Sequence, residues 1–204
     1  KEIDFLGVNF YSRSMVESGR QGKVSDTILK KIERAELRLH ESDDVSAKDT
    51  KAEQLQKLMN QKNSHYKSVD LEEVERTHIG WEVHPDALLK LLTDLHETYN
   101  LPPIYITENG AAVDDHLIDG VVDDEQRYRY YQSHLSMVDQ AINKGVDIRG
   151  YFAWSLMDNF EWAEGYKMRF GIVYVDYETQ NRTLKRSAIK FQEFLKARKQ
   201  GLLD

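Results

Sequence analysis

Three short stretches concentrate the side chains that could act on a substrate: Asn9-Phe10-Tyr11, Thr107-Glu108-Asn109-Gly110, and Trp154-Ser155-Leu156-Met157-Asp158-Asn159-Phe160-Glu161-Trp162. Between them they offer carboxylates, a phenol, amides and indoles. That set suits a sugar, whose C–H faces lie against indoles and whose hydroxyls pair with amides and carboxylates. Blander readings stay open for single residues. Glu108 alone also fits a helix cap or an arginine partner, and Trp154 and Trp162 also fit a packed core. Glu161, between Phe160 and Trp162, is harder to set aside, because an apolar neighbourhood makes an idle charge costly. His65, His78, His84, His96, His116 and His134 show no metal-ligand spacing, so no catalytic metal is expected. There is no G-x-S-x-G elbow, no G-x-G-x-x-G turn and no phosphate loop.

These stretches need elements to position them. Residues 3–11 read as a strand buried on both faces. Pro85 suits the first residue of a helix whose apolar stripe is Leu88, Leu91, Leu92 and Leu95. Pro102-Pro103 ends that segment, and residues 104–107 form a second strand, broken at Asn109-Gly110. Residues 123–143 form a helix with Tyr128, Tyr131, Leu135, Val138 and Ile142 on one face, stopped at Gly145. Residues 148–154 are a third strand and residues 172–177 a short ribbon. Residues 187–198 close the chain as a helix, capped by Ser187, with Ile189, Phe191 and Phe194 inward. This alternation predicts a parallel α/β architecture, in which functional groups collect at the carboxyl ends of strands. Three such units cannot close an eight-stranded barrel, so open sheet edges need a partner or a cover.

Residues 21–78 stand apart: they hold no proline, and 11 Lys/Arg are mixed with 12 Asp/Glu. Ile28, Leu29, Ile32, Ala35 and Leu39 recur at helical spacing, and Leu55, Leu58, Met59 and Lys62 more weakly. One or two exposed helices are expected there, with a flexible charged insertion as the competing reading. Over the 204 residues, 40% hydrophobic content fits a folded chain, and a net charge of −7 argues against nucleic acid or an anionic membrane as partner. The absence of cysteine excludes disulfides, a thiol nucleophile and thiolate metal sites. No apolar run approaches the roughly 20 residues of a membrane span, and a cytoplasmic location is expected. The opening Lys1-Glu2-Ile3-Asp4-Phe5 reads as a chain joined midway.

Several of these motifs match one family. Ile106-Thr107-Glu108-Asn109-Gly110 resembles the I-T-E-N-G signature of family 1 glycoside hydrolases, the β-glucosidase family. The stretch from Trp154 to Trp162, followed by Gly165-Tyr166 and Arg169-Phe170-Gly171, resembles the family's sugar-binding segment. Asp4-Phe5-Leu6-Gly7-Val8-Asn9-Phe10-Tyr11 resembles its D-F-x-G-x-N-Y-Y strand, and Gly80-Trp81-Glu82-Val83 and Arg182-Thr183-x-Lys185-x-Ser187 also match. The resemblance covers residues 1–20 and 78–200. It implies an α/β fold, the C-terminal portion of a (β/α)8 TIM barrel. Residues 1–204 would supply about strands 6–8 of that single domain, incomplete alone, with the charged helical insertion at about 21–78 near the aglycone entrance.

The resemblance also implies a retaining β-glycosidase acting through a covalent glycosyl-enzyme, with two carboxylates about 5–5.5 Å apart. Glu108 then matches the nucleophile, and Tyr11 the phenol that hydrogen-bonds and orients it. Asn9 lies beside them in a supporting polar role. Trp154 matches the platform under the sugar ring, Glu161 the grip on the 4- and 6-hydroxyls, Trp162 an indole donor to a ring hydroxyl, and Phe170 a wall of the subsite. No cofactor is implied. Glu161 would repel a phosphate dianion, so the expected substrates are unphosphorylated β-glucosides, with β-galactosides or β-fucosides beside them. The family's acid/base sits in an N-E-P motif, and no N-E-P occurs in this sequence. The expected partner is therefore an N-terminal barrel segment carrying that motif, and the chain alone is expected to be inert. The competing reading is a non-catalytic half-barrel that self-associates as a sugar-binding or assembly module. A copurifying N-E-P polypeptide would favour the first reading, and a homodimer the second.

Overall fold

The computed structural model describes residues 3–18, 66–69, 71 and 73–200. Along the chain run β1 (Leu6–Asn9), β2 (Val16–Ser18), β3 (Tyr66–Ser68), α1 (Pro85–Thr98), β4 (Ile104–Asn109), α2 (Glu125–Asn143), β5 (Ile148–Ala153), β6 (Val173–Val175), β7 (Arg182–Leu184) and α3 (Arg186–Lys199). They fall into two compact units, Lys1–Arg13 with Glu73–Asp204, and Ser14–Glu72. In the smaller unit β2 and β3 pair antiparallel, with Glu17 opposite Lys67. The helical spacings at Ile28 to Leu39 and at Leu55 to Lys62 lie outside the described residues.

In the larger unit the expected alternation is realised as a parallel sheet of order β1-β4-β5. Leu6 stands opposite Ile104, and Ile104 opposite Ile148. Val8, Ile104 and Ile106 pack with Leu88 and Leu92 of α1 and with Val138 and Ala141 of α2. Each of the valine, leucine and isoleucine side chains among them, once buried, contributes about 1.5–3 kcal/mol. Pro85 opens α1, where its missing N–H is not needed, and extended Tyr99 closes it. Gly145 at φ +94° follows α2. The ribbon expected at residues 172–177 is β6 paired antiparallel with β7.

Several expectations need correction. β1 is four residues long, and only Val8 is buried in it; Gly7 and Asn9 are exposed. One face of the sheet is covered by helices. The other, which carries Gly7, Asn9 and Phe152, is open among the described residues, and Phe152 is 56% exposed. Leu91 lies at the rim of its stripe, and Ile189 is exposed rather than inward. The inner face of α2 is Arg127, Tyr130, Tyr131, His134, Val138 and Ala141. Its two polar members hid that stripe from a hydrophobic-periodicity reading. Ser187 does not cap α3. It lies in the first turn, and its N–H donates to Asp124 Oδ1 at 2.7 Å while its hydroxyl donates to Oδ2. Lys185 holds the cap position instead. No helix among the described residues is long and apolar enough to cross a membrane.

His134 makes the core sensitive to acid. It is fully buried and stacks on Tyr130 at 3.8 Å between centroids. Its Nδ1–H faces the Tyr130 carbonyl at 2.8 Å, while Nε2 has no partner. Burial pushes its pKa down to about 4. The unfolded chain takes up this proton near pH 6.5, the folded chain only near 4, so stability falls as pH drops through that window. At pH 5 the loss relative to pH 7 is about 2 kcal/mol. Urea unfolding of the wild type and of His134→Phe checks this. The variant keeps the stacked ring, and its stability is expected to fall less over the same interval by about that amount. Parallel curves for the two proteins would remove His134 as the cause.

Candidate active site

Parallel pairing sets the carboxyl ends of β1, β4 and β5 side by side, and these ends carry the three stretches singled out by residue type. The ladder loses its regular register there, between Val8 and Asn9 and between Ile106 and Asn109. Side chains supply the missing ties. Asn109 is fully buried. Its Nδ2 donates to the Phe10 carbonyl at 2.7 Å and to Tyr130 Oη at 3.0 Å, and its Oδ1 accepts from Tyr151 Oη at 2.5 Å. Tyr130 Oη in turn donates to the Tyr11 carbonyl at 3.0 Å. Gly110 permits close approach of the next strand end, since a Cβ there would strike the Trp154 carbonyl.

On this frame Tyr11 Oη donates to Glu108 Oε2 at 2.7 Å. Burial first, and the Glu108 carboxylate second, push the Tyr11 phenol well above its ordinary range. Tyr11 therefore keeps its proton at neutral pH and remains a donor. Around it, the Trp81 ring lies 5.4 Å and the Phe170 ring 6.0 Å from the Tyr11 ring, centroid to centroid. Phe170 is 2% exposed and backs the cluster, whereas Trp81 is partly open to solvent. Glu161 lies near enough to sense Glu108. Burial and then the Glu108 charge raise its carboxyl above the usual carboxylate value.

Tyr11, Glu108 and Phe170 are thus brought together, with Glu161 coupled to them through its charge. Asn9 accepts a hydrogen bond from Thr107 Oγ1 at 2.6 Å, so its recorded partner is Thr107 and not Glu108. Trp154 is half-buried; its N–H donates to the Asn109 carbonyl at 2.8 Å and its own carbonyl accepts from Tyr131 Oη at 3.1 Å. Trp162 is 85% exposed at the start of a 3-10 turn. Sequence reasoning passed over Trp81, Tyr130 and Tyr151. Trp81 sat in a matched motif without a role, and the two tyrosines reach Asn109 from 21 and 42 residues away, which no local signal marks. A groove of about 700 Å3 between α2, β5 and α3, lined by Leu135, Tyr151, Phe191 and Phe194 among others, is a different place: neither Tyr11, Glu108 nor Glu161 lines it.

The sequence model of Glycosyl hydrolase family 1 matches residues 1–200. The chain belongs to glycosyl hydrolase family 1. Among family 1 relatives, a β-glucosidase of an Agrobacterium species is 57% identical over 112 residues, 55% of this chain and 24% of the relative. β-Glucosidase A of Thermotoga maritima is 49% identical over 125 residues, 61% of this chain and 28% of the relative. A bifunctional β-D-glucosidase/β-D-fucosidase of Bifidobacterium breve is 49% identical over 124 residues, covering 58% and 27%. The solved family 1 β-glucosidase of Thermotoga maritima superposes with a TM-score of 0.74 at 35% identity, over 96% of this chain and 35% of that one. The structural neighbours are TIM-barrel family 1 β-glucosidases, and this chain corresponds to part of that barrel. It spans about a quarter of the length of these curated relatives and about a third of the solved chain.

Proposed function

We propose that this chain supplies the nucleophile side of a retaining β-glycosidase acting on unphosphorylated β-glucosides, with β-galactosides or β-fucosides as neighbours in specificity. The observation that carries the reading is the hydrogen bond from Tyr11 Oη to Glu108 Oε2 at 2.7 Å, with a second carboxyl, Glu161, electrically coupled to Glu108. The phenol holds one carboxylate oxygen in place and leaves the other free to face a substrate. In this reading β1, β4 and β5 are strands 6, 7 and 8 of a single barrel domain, and residues 21–78 are an insertion in it. Asn9, Trp154, Glu161, Trp162 and Phe170 build the glycone subsite.

The chemistry runs in two displacements. Glu108 attacks the anomeric carbon as the glycosidic C–O bond breaks, and the leaving oxygen takes a proton from an acid on a complementary segment. Water then attacks the same carbon, gives its proton to that group, and Glu108 departs as a carboxylate. Two inversions give net retention. The acid comes from elsewhere because the matched motifs supply none here. The N-E-P motif belongs to a partner segment that also covers the open sheet face.

One experiment tests the whole. The complemented enzyme is exposed to a 2-deoxy-2-fluoroglucoside with an activated leaving group, and to the same compound phosphorylated at O6. Fluorine slows both steps, and the good leaving group spares the first. Intact and peptide mass spectrometry should find one fluoroglucosyl group on Glu108 from the free compound and none from the phosphorylated one. A label on another residue, or labelling by the phosphorylated compound alone, would overturn the assignment.

A further inference from the structure

The matched Arg182-Thr183-x-Lys185-x-Ser187 segment has no place in the chemistry above, yet Lys185 is fully buried. Its backbone is fixed on both sides: it follows β7 directly, caps α3, and its N–H donates to the Ile172 carbonyl at 3.0 Å. Its Nζ lies 2.6 Å from Asp115 Oδ2 and 2.7 Å from Asp158 Oδ1. Asp115 lies on the segment that continues from Glu108, and Asp158 is three residues before Glu161.

Each carboxylate is also anchored away from Lys185. Arg127 grips both Asp115 oxygens, at 3.1 and 2.7 Å, pairs with Asp124 at 2.5 Å, and donates to the Ala111 and Arg169 carbonyls. Asp158 takes the Arg169 guanidinium at 2.5 Å and the N–H groups of Gly171 and Val175 at 3.0 and 3.3 Å. The cluster balances three cations, Arg127, Arg169 and Lys185, against three anions, Asp115, Asp124 and Asp158. Of these six side chains only Arg169 has any exposure. Buried ion clusters are often no more stabilising than apolar packing of the same volume. What such a cluster does supply is fixed relative position, since each carboxylate tolerates displacement poorly in a dry interior. Among the described residues, Lys185 is the single group that touches a carboxylate from both loops.

We propose that Lys185 is a positioning residue that ties the Glu108 loop to the Glu161 loop and so sets how the glycone grip is placed against the nucleophile. This rests on the glycosidase reading. Displacement of one loop relative to the other by about 1 Å can cost on the order of 100-fold in rate. The loss should fall hardest on sugars that use the Glu161 end of the subsite.

The test is kinetic, on the complemented enzyme, at a temperature where circular dichroism reports full folding. Lys185→Met is compared with wild type on an aryl β-glucoside and on the matching β-xyloside, which lacks the C6 hydroxymethyl group. The glucoside-to-xyloside ratio of kcat/KM should fall about tenfold, the size of effect that one misplaced recognition contact produces. Lys185→Arg, which retains a buried cation between the carboxylates, should recover most of the ratio. Asp115→Asn keeps shape, leaves Arg127 on Asp124 and Lys185 on Asp158, and should lower the ratio in the same direction if Lys185→Met does not fold. A merely structural residue would scale both substrates equally, so an unchanged ratio in the folded variants overturns the proposal. Failure of the wild type to label at Glu108 would instead overturn the glycosidase reading itself.

Discussion

Glu108→Gln in the complemented enzyme is expected to lower kcat by at least about 10^4-fold with little change in KM. The amide is isosteric, and its oxygen can still accept from Tyr11 Oη, which sits 2.7 Å from Glu108 Oε2. The cradle formed by Asn109, Tyr130 and Tyr151 does not involve the Glu108 side chain, so it should persist. What disappears is the anionic oxygen that, in the proposed mechanism, forms the bond to the anomeric carbon. Tyr11→Phe removes one charge-assisted hydrogen bond, worth about 1.5–3 kcal/mol, and should cost about 10- to 100-fold instead. Steady-state rates on an aryl β-glucoside, with protein made in a host lacking background glycosidase, separate the two. Near-wild-type turnover by folded Glu108→Gln would remove Glu108 as the nucleophile.

The alternation of strand and helix was legible because its signals are local. Leu88 and Leu92 at helical spacing, the β-branched Ile104 and Ile106, and Gly145 beyond α2 each follow from one residue and its near neighbours. Burial of polar side chains was not legible. Arg127 and His134 belong to the inner face of α2, and a periodicity built on hydrophobicity turns away from them. Ser187 looked like a cap because its usual partner is the helix it precedes, whereas its partner is Asp124, 63 residues back. The site divides in the same way. Residue types at strand ends suggested a sugar, and the motif pointed to Glu108. The pairing of Tyr11 with Glu108 joins positions 97 apart and depends on parallel pairing of β1 with β4. The contacts of Trp81 with the Tyr11 ring, of Tyr130 with the Tyr11 carbonyl and of Lys185 with Asp115 are likewise remote in sequence, and only tertiary structure places them.

This chain by itself should show no turnover of cellobiose, and activity should appear in proportion to an added segment bearing N-E-P, saturating at one-to-one. Two deficits combine. The leaving group of cellobiose is a sugar hydroxyl, a poor anion, so departure without a positioned acid forfeits about 10^2- to 10^4-fold. The proposed subsite is also open. Gly7 and Asn9 face no covering layer among the described residues, Phe152 is 56% exposed and Trp162 is 85% exposed, so a bound sugar would be held from one side and remain wet on the other. The two deficits can be separated by leaving group. A dinitrophenyl β-glucoside departs without protonation, so the unassisted chain should reach a larger fraction of the assembled rate on it than on cellobiose. Complementation is also expected to bury Trp162, which a blue shift in tryptophan emission would report. Hydrolysis of cellobiose by the chain alone at the assembled rate would mean that an acid within these residues serves the reaction, and the two-segment account of the active site would fall.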